Sequence, residues 1–187
     1  AASASLTGAT SNAFNITAAS ATHLAFLQQP TNTTAGVSIA PPVTVQILDA
    51  FNHVVPSSAN ITVAIGSNPA AGTLSGTLTV AAVNGTATFS NLSINKAGVG
   101  YTLTANDTVT GATSAAFNIT AAAASTLVVS GFPSPTVSGD AGTFTVTAYD
   151  AFGNVAVGFV GTVHFTSSDP AATLPADYTF TAGDAGV

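Results

Sequence analysis

Chemistry in this chain has to come from a short inventory. Its 187 residues include seven Asp, three His and a single Lys, with no Glu, Arg, Cys, Met or Trp, so 4% are charged and the net charge is −6. The oxygen-bearing side chains suggest a cation site first. Asp150 and Asn154 lie close together, with Asp140 upstream, and this trio could offer carboxylate and amide oxygens to Ca²⁺. The set is thin, because Ca²⁺ takes about six to eight oxygens, usually from several carboxylates. A structural use competes with it. Asp-Ala-Phe-Asn (49–52) and Asp-Ala-Phe-Gly-Asn (150–154) each place an Asp where a strand should end. There a short carboxylate accepts backbone N–H groups, Asn52 or Gly153 takes a positive φ, and the Phe plugs the end of the core.

Other chemistries find less support. His23, His53 and His164 are too far apart in sequence for the close spacings of zinc ligands, and His164, between Val163 and Phe165 in a strand, should face away from both. Ser and Thr are plentiful, yet no Gly-x-Ser-x-Gly turn occurs and nothing sets a His beside an Asp and a Ser. The absence of Cys removes disulfides and thiolate metal sites, and one Lys cannot make a basic face for nucleic acid. No apolar run is long enough for a membrane-spanning helix. The expectation is therefore no catalytic residue, no metal beyond the weak Ca²⁺ candidate, and no cofactor. Asn-x-Ser/Thr triplets at Asn15, Asn32, Asn60, Asn84, Asn91, Asn106 and Asn118 are candidate glycosylation sites, against the plainer reading that a chain rich in Asn, Ser and Thr forms such triplets by composition.

The elements that would position these residues follow from an internal repeat. Residues 6–20 (LTGATSNAFNITAAS) match 109–123 (VTGATSAAFNITAAA) at 12 of 15 positions, an offset of 103. TVQILDAFNHVV (44–55) matches TVTAYDAFGNVA (145–156) at six of 12 positions, an offset of 101. The phase divides the chain into 1–20, the last strand of one repeat; 21–123, a complete repeat; and 124–187, an incomplete one whose last strands are missing. Beginning at Ala1 without Met, the chain is expected to be a window on a longer array.

Within a repeat, apolar residues alternate with Thr and Ser between Gly, Pro and Asn clusters, the period-2 pattern of half-buried antiparallel strands. Strands are expected over 23–29, 43–48, 61–65, 77–82, 86–90, 101–104 and 114–120, then over 126–130, 142–149, 161–165 and 178–181, with almost no helix. Phe26, Phe89, Tyr101, Phe117, Phe144, Tyr149 and Phe165 are expected to point into cores. The predicted fold class is all-β, with tandem immunoglobulin-like β-sandwiches arranged end to end. The joins at 18–22 and 121–126 lack the Gly and Pro of a flexible tether and predict a stiff rod.

THLAFLQQPTNTTAG (22–36), LDAFNHVV (48–55), YDAFGNVA (149–156) and VNGTATFSNLSINKAG (83–98) resemble the bacterial immunoglobulin-like tandem repeats of very large secreted or cell-surface proteins. Residues 130–187 are similar to a second flavour of the same repeats. The resemblance implies surface stalks, adhesins and extracellular fibres, and no catalytic residues. Asn52-His53 departs from the Gly153-Asn154 form of the turn.

The functional expectation is a non-catalytic spacer in an extracellular or cell-surface fibre, stalk or adhesin, whose partners are neighbouring repeats of the same protein. One alternative is a module that grips carbohydrate or a host protein through loops, for which Phe51, Phe132, Phe152 and Phe159 are the available aromatics. Another is a subunit of a donor-strand-exchanged filament, with residues 5–17 completing the sandwich of the next chain.

Overall fold

The computed structural model describes residues 10–187; residues 1–9, which include the start of the expected leading strand, lie outside the described residues. The chain is all-β. Up to residue 123 it runs β1 (Ala21–Gln28), β2 (Thr33–Thr34), β3 (Val43–Asp49), β4 (Asn60–Ile65), β5 (Leu74–Ser75), β6 (Thr79–Ala81), β7 (Thr86–Phe89), β8 (Ser93–Ile94), β9 (Gly98–Tyr101), β10 (Leu103–Asn106), β11 (Ala112–Thr113) and β12 (Phe117–Thr120). Beyond it follow β13 (Thr126–Ser130), β14 (Thr145–Tyr149), β15 (Thr162–Val163) and β16 (Tyr178–Thr179), then a 3₁₀ turn at Ala182–Asp184. The sheets are small and open: β1-β3-β7, β11-β10-β4-β6, β2-β12-β9 and the pair β5-β8, then the pairs β13-β14 and β15-β16.

Alternation builds the core. Val43, Val45 and Ile47 of β3 and Phe89 of β7 meet Ile61 and Val63 of β4, Leu103 and Ala105 of β10, and Phe117 and Ile119 of β12 in one buried cluster. Each of these Val, Ile, Leu and Phe side chains contributes about 1.5–3 kcal/mol when fully buried. Every residue of that cluster falls before position 120. Downstream, Ala148, Ala156, Val163 and Phe180 are buried separately, and Phe144 meets Phe165 edge to face at 5.4 Å between ring centres. Phe89, Tyr101 and Phe117 are buried as expected, whereas Phe26, Phe144, Tyr149 and Phe165 are half-buried.

The expected strand 101–104 is two strands. Tyr101 pairs with Phe117 in one sheet and Leu103 with Ile65 in another. Thr102 marks the crossing, accepting the Gly66 N–H at its carbonyl and the Ser67 N–H at Oγ1. Periodicity runs through this point unbroken, so the change of sheet has no signature in the apolar pattern. The expected strand 114–120 starts only at Phe117, because the buried Ser114 hydroxyl accepts the Leu103 N–H and donates to Ala115 O.

The sequence repeat reappears as repeated bonds. The Ile47 N–H donates to Gly85 O and the Ala148 N–H to Gly186 O, at 2.9 and 2.8 Å. Asn84 and Gly85 have φ of 49° and 81°, and Ala185 and Gly186 have 48° and 82°. The hydroxyls of Thr62 and Thr79 meet at 2.9 Å, those of Thr162 and Thr179 at 2.7 Å.

Candidate functional site: two acidic loops and a joint

Both Asp-Ala-Phe segments form one kind of loop. Asp49 ends β3, its N–H donating to His53 O, and Oδ1 accepts the N–H groups of Phe51 and His53 at 2.8 and 2.9 Å. Asp150 does the same: its N–H donates to Asn154 O, and Oδ1 accepts from Phe152 and Asn154 at 2.8 and 2.9 Å. The positive φ falls on Asn52 in one loop (64°) and on Gly153 in the other (71°).

The second oxygen of each carboxylate reaches the chain that leads into the loop's own stretch. Asp49 Oδ2 accepts the Ala19 N–H at 3.0 Å, and Asp150 Oδ2 accepts the Ala122 N–H at 2.9 Å. Each Asp thus clasps its turn and its incoming connection at once. Burial opposes the charge on Asp49, but the N–H groups of His53, Ala19 and Phe51 and the His53 ring outweigh it and hold the carboxyl down at about 2. For Asp150, burial is likewise outweighed by the Asn154 amide and the N–H groups of Asn154, Ala122 and Phe152, and its pKa also falls below the ordinary value.

Outward from the clasp the loops differ. Asn154 is buried: Nδ2 donates to Asp150 Oδ2 at 2.8 Å and to Asn95 O at 3.0 Å, while Oδ1 accepts the Ala97 N–H at 3.0 Å. Between those two groups, Lys96 Nζ donates to Phe152 O at 2.6 Å, so the chain's single basic side chain is engaged across this joint. The Phe152 ring covers Gly36, where a Cβ would collide with it. The turn 95–97 is itself braced, since Tyr101, fully buried, donates its hydroxyl to Lys96 O at 2.9 Å. In the other loop, the His53 side chain is 69% exposed, with Nδ1 3.4 Å from Asp49 Oδ2, and Asn52 Oδ1 meets His23 Nε2 at 3.1 Å. Phe51 is 73% exposed against 39% for Phe152.

Of the Ca²⁺ candidates, Asp150 and Asn154 come together, but both Asp150 oxygens are occupied by N–H donors. Asp140 sits on a separate turn, its N–H donating to Val137 O. Among the described residues no group of three or more His and Asp side chains gathers at metal-binding distance. His164 is exposed as expected and meets Asp177 Oδ1 at 2.6 Å. Among the candidate glycosylation sites, Asn15, Asn32, Asn60, Asn84, Asn91 and Asn106 are exposed and Asn118 is half-buried. Three carry structural bonds: Asn32 Oδ1 accepts the Asn118 N–H, Asn118 Oδ1 accepts the Gly100 N–H, and Asn91 holds Thr77 with both ends of its amide. Among the described residues no helix is long and apolar enough to cross a membrane.

Two further surfaces stand out. Phe144, Val146, Phe165, Tyr178 and Phe180 line an open groove of about 580 Å³ beside β14 and β16. Phe14 and Ile16, 76% and 84% exposed, belong to the same Phe-Asn-Ile-Thr tetrapeptide whose Phe and Ile are buried at 117 and 119. The joint residues Gly36, Asn95, Lys96 and Ala97 escaped the sequence reading; the one available signal was the isolation of Lys96 in a chain otherwise without basic side chains. No protein-family model matches the chain, and no curated protein matches it.

Proposed function

We propose that this chain is a non-catalytic structural segment of an extracellular or cell-surface fibre, stalk or adhesin. Its immunoglobulin-like units, 21–123 and 124–187, act as stiff spacers whose partners are neighbouring repeats. One observation carries this reading: the same carboxylate clasp recurs at Asp49 and Asp150, each binding its loop and the N–H of its incoming connection. A flexible tether needs no such bond, whereas a spacer that holds its units in line does. Low charge fits an exposed filament, since few titrating groups make stability depend on pH or salt. Residual dipolar couplings on the intact chain test the proposal. The expected result is one alignment tensor fitting both 21–123 and 124–187, and two independent tensors would overturn it.

A second reading, the donor-strand-exchanged filament, draws on the exposed Phe14 and Ile16 and the open groove around Phe144 and Phe165. It ranks second because one strand supplies no counterpart to Phe89 or Tyr101, both fully buried in the first unit. If exchange operates, deleting residues 1–17 abolishes polymer growth while 21–123 stays folded.

A further inference from the structure

The two acidic loops share Asp-Ala-Phe and then diverge, Asn52-His53 in one and Gly153-Asn154 in the other. Both divergent positions of the second loop face the preceding stretch. Asn154 bonds the Asn95 carbonyl and the Ala97 N–H. Gly153 lies under Lys96: a Cβ there would stand 3.5 Å from Nζ, in ordinary contact, so a longer side chain at this position would start beside the ammonium that reaches Phe152 O. The shared Phe152 and the divergent Asn154 both reach the preceding stretch, and Asn154 also bonds both oxygens of Asp150.

We infer that Gly153-Asn154 is an address. The surface formed by Gly36 and the turn 95–97 is a docking platform for a following unit whose loop reads Asp-x-Phe-Gly-Asn, and it rejects a unit whose loop reads Asp-x-Phe-Asn-His. This deepens, and rests on, the reading of the chain as stiff tandem units.

Hydrogen-bond inventory gives the reason. The Asn154 amide satisfies three partners at once, donating to Asp150 Oδ2 and Asn95 O and accepting from Ala97 N–H. An imidazole in that place, with Nδ1 turned to the Asp as His53 is turned to Asp49, has one nitrogen left. It can accept from the Ala97 N–H or donate to the Asn95 carbonyl, never both, so one group of the joint loses its partner. An Asn at position 153 brings a side chain towards Lys96, where its counterpart Asn52 instead meets His23. The loop at 49–53 keeps the clasp but cannot match this platform, so it suits a neighbour of different face, and the order of repeat flavours along an array follows from which loop meets which platform.

The test exploits a built-in control: the loop at 49–53 demonstrates that Asn and His are tolerated at these positions without loss of the clasp. In the intact chain, Asn154→His is expected to leave one of the Ala97 N–H and the Asn95 carbonyl without its partner and to split one alignment tensor into two. The amides of Phe152 and residue 154, bonded to Asp150 Oδ1, should stay protected from exchange. Gly153→Asn, made separately, should split the tensor in the same way, which covers the case in which the first variant disturbs its own loop. Two tensors already in the wild-type chain overturn both the stiff-spacer reading and this one. A single tensor in wild type and in both variants overturns the address alone.

Discussion

The loops at 49–53 and 150–154 have the same backbone, the same carboxylate clasp and the same reach to an incoming connection, yet one ends in an exposed His and the other in a buried Asn. What they share is what a single stretch needs in order to hold its own turn. Where they part their contacts differ: Asn52 meets His23, whereas Asn154 bonds Asn95 and Ala97.

The most severe way to break the comparison is to remove a clasp. Asp49→Ala leaves the N–H groups of Ala19, Phe51 and His53 without their acceptor, and Asp150→Ala does the same to Ala122, Phe152 and Asn154. Each is expected to lower stability by about 1.5–3 kcal/mol, the range for hydrogen bonds to a charged group, as read by urea unfolding. If the clasp is autonomous, the two losses agree. A large loss at Asp150 alone would mean that the clasp depends on the joint.

Acid removes the same bonds more gradually. The folded Asp49 carboxyl is held at about 2, below the ordinary 3.8. Its contribution is therefore complete above about pH 5 and is lost as pH falls through 4 towards 2. Asp150 is depressed in the same direction. Urea midpoints measured across this window should fall with pH, and Asp49→Asn should flatten part of the slope. A midpoint independent of pH below 4 would contradict the clasp.

How much of this was legible in the residues depends on how local the cause is. The alternation around Val43, Val45 and Ile47 announces strands, and Asp-Ala-Phe followed by Asn or Gly announces a turn with a carboxylate acceptor, because both act within a few positions. The donors from Ala19 and Ala122 lie about 30 residues from their acceptors and have no pattern of their own. The joint is further still, Lys96 reaching Phe152 across 56 positions. Phe-Asn-Ile-Thr makes the limit plain: at 117–120 it is a strand in a sheet with a buried Phe and Ile, and at 14–17 both are exposed, with identical propensities throughout.

The aromatic rings sharpen the contrast on a smaller scale. Phe152 rests on Gly36 while its counterpart Phe51 is largely exposed beside the His53 ring. Phe152→Ala is expected to cost about 1 kcal/mol and Phe51→Ala less than about 0.5, the usual range for exposed positions. Paired thermal melts would read the difference, and equal costs would show that the ring's burial at the joint contributes nothing.

The smallest effect belongs to Lys96. Its bond to Phe152 O is short, but the ammonium is solvated and carries a long side chain whose ordering costs entropy, so Lys96→Ala should change stability by about 0.5 kcal/mol or less. It acts on placement: the ammonium reaches Phe152 O between the two bonds that Asn154 makes to Asn95 and Ala97. The variant should therefore leave the urea midpoint almost unmoved while widening the spread of orientations between 21–123 and 124–187 in dipolar couplings. A marked loss of stability with unchanged orientation would assign Lys96 to its own turn, beside Tyr101, instead of to the join.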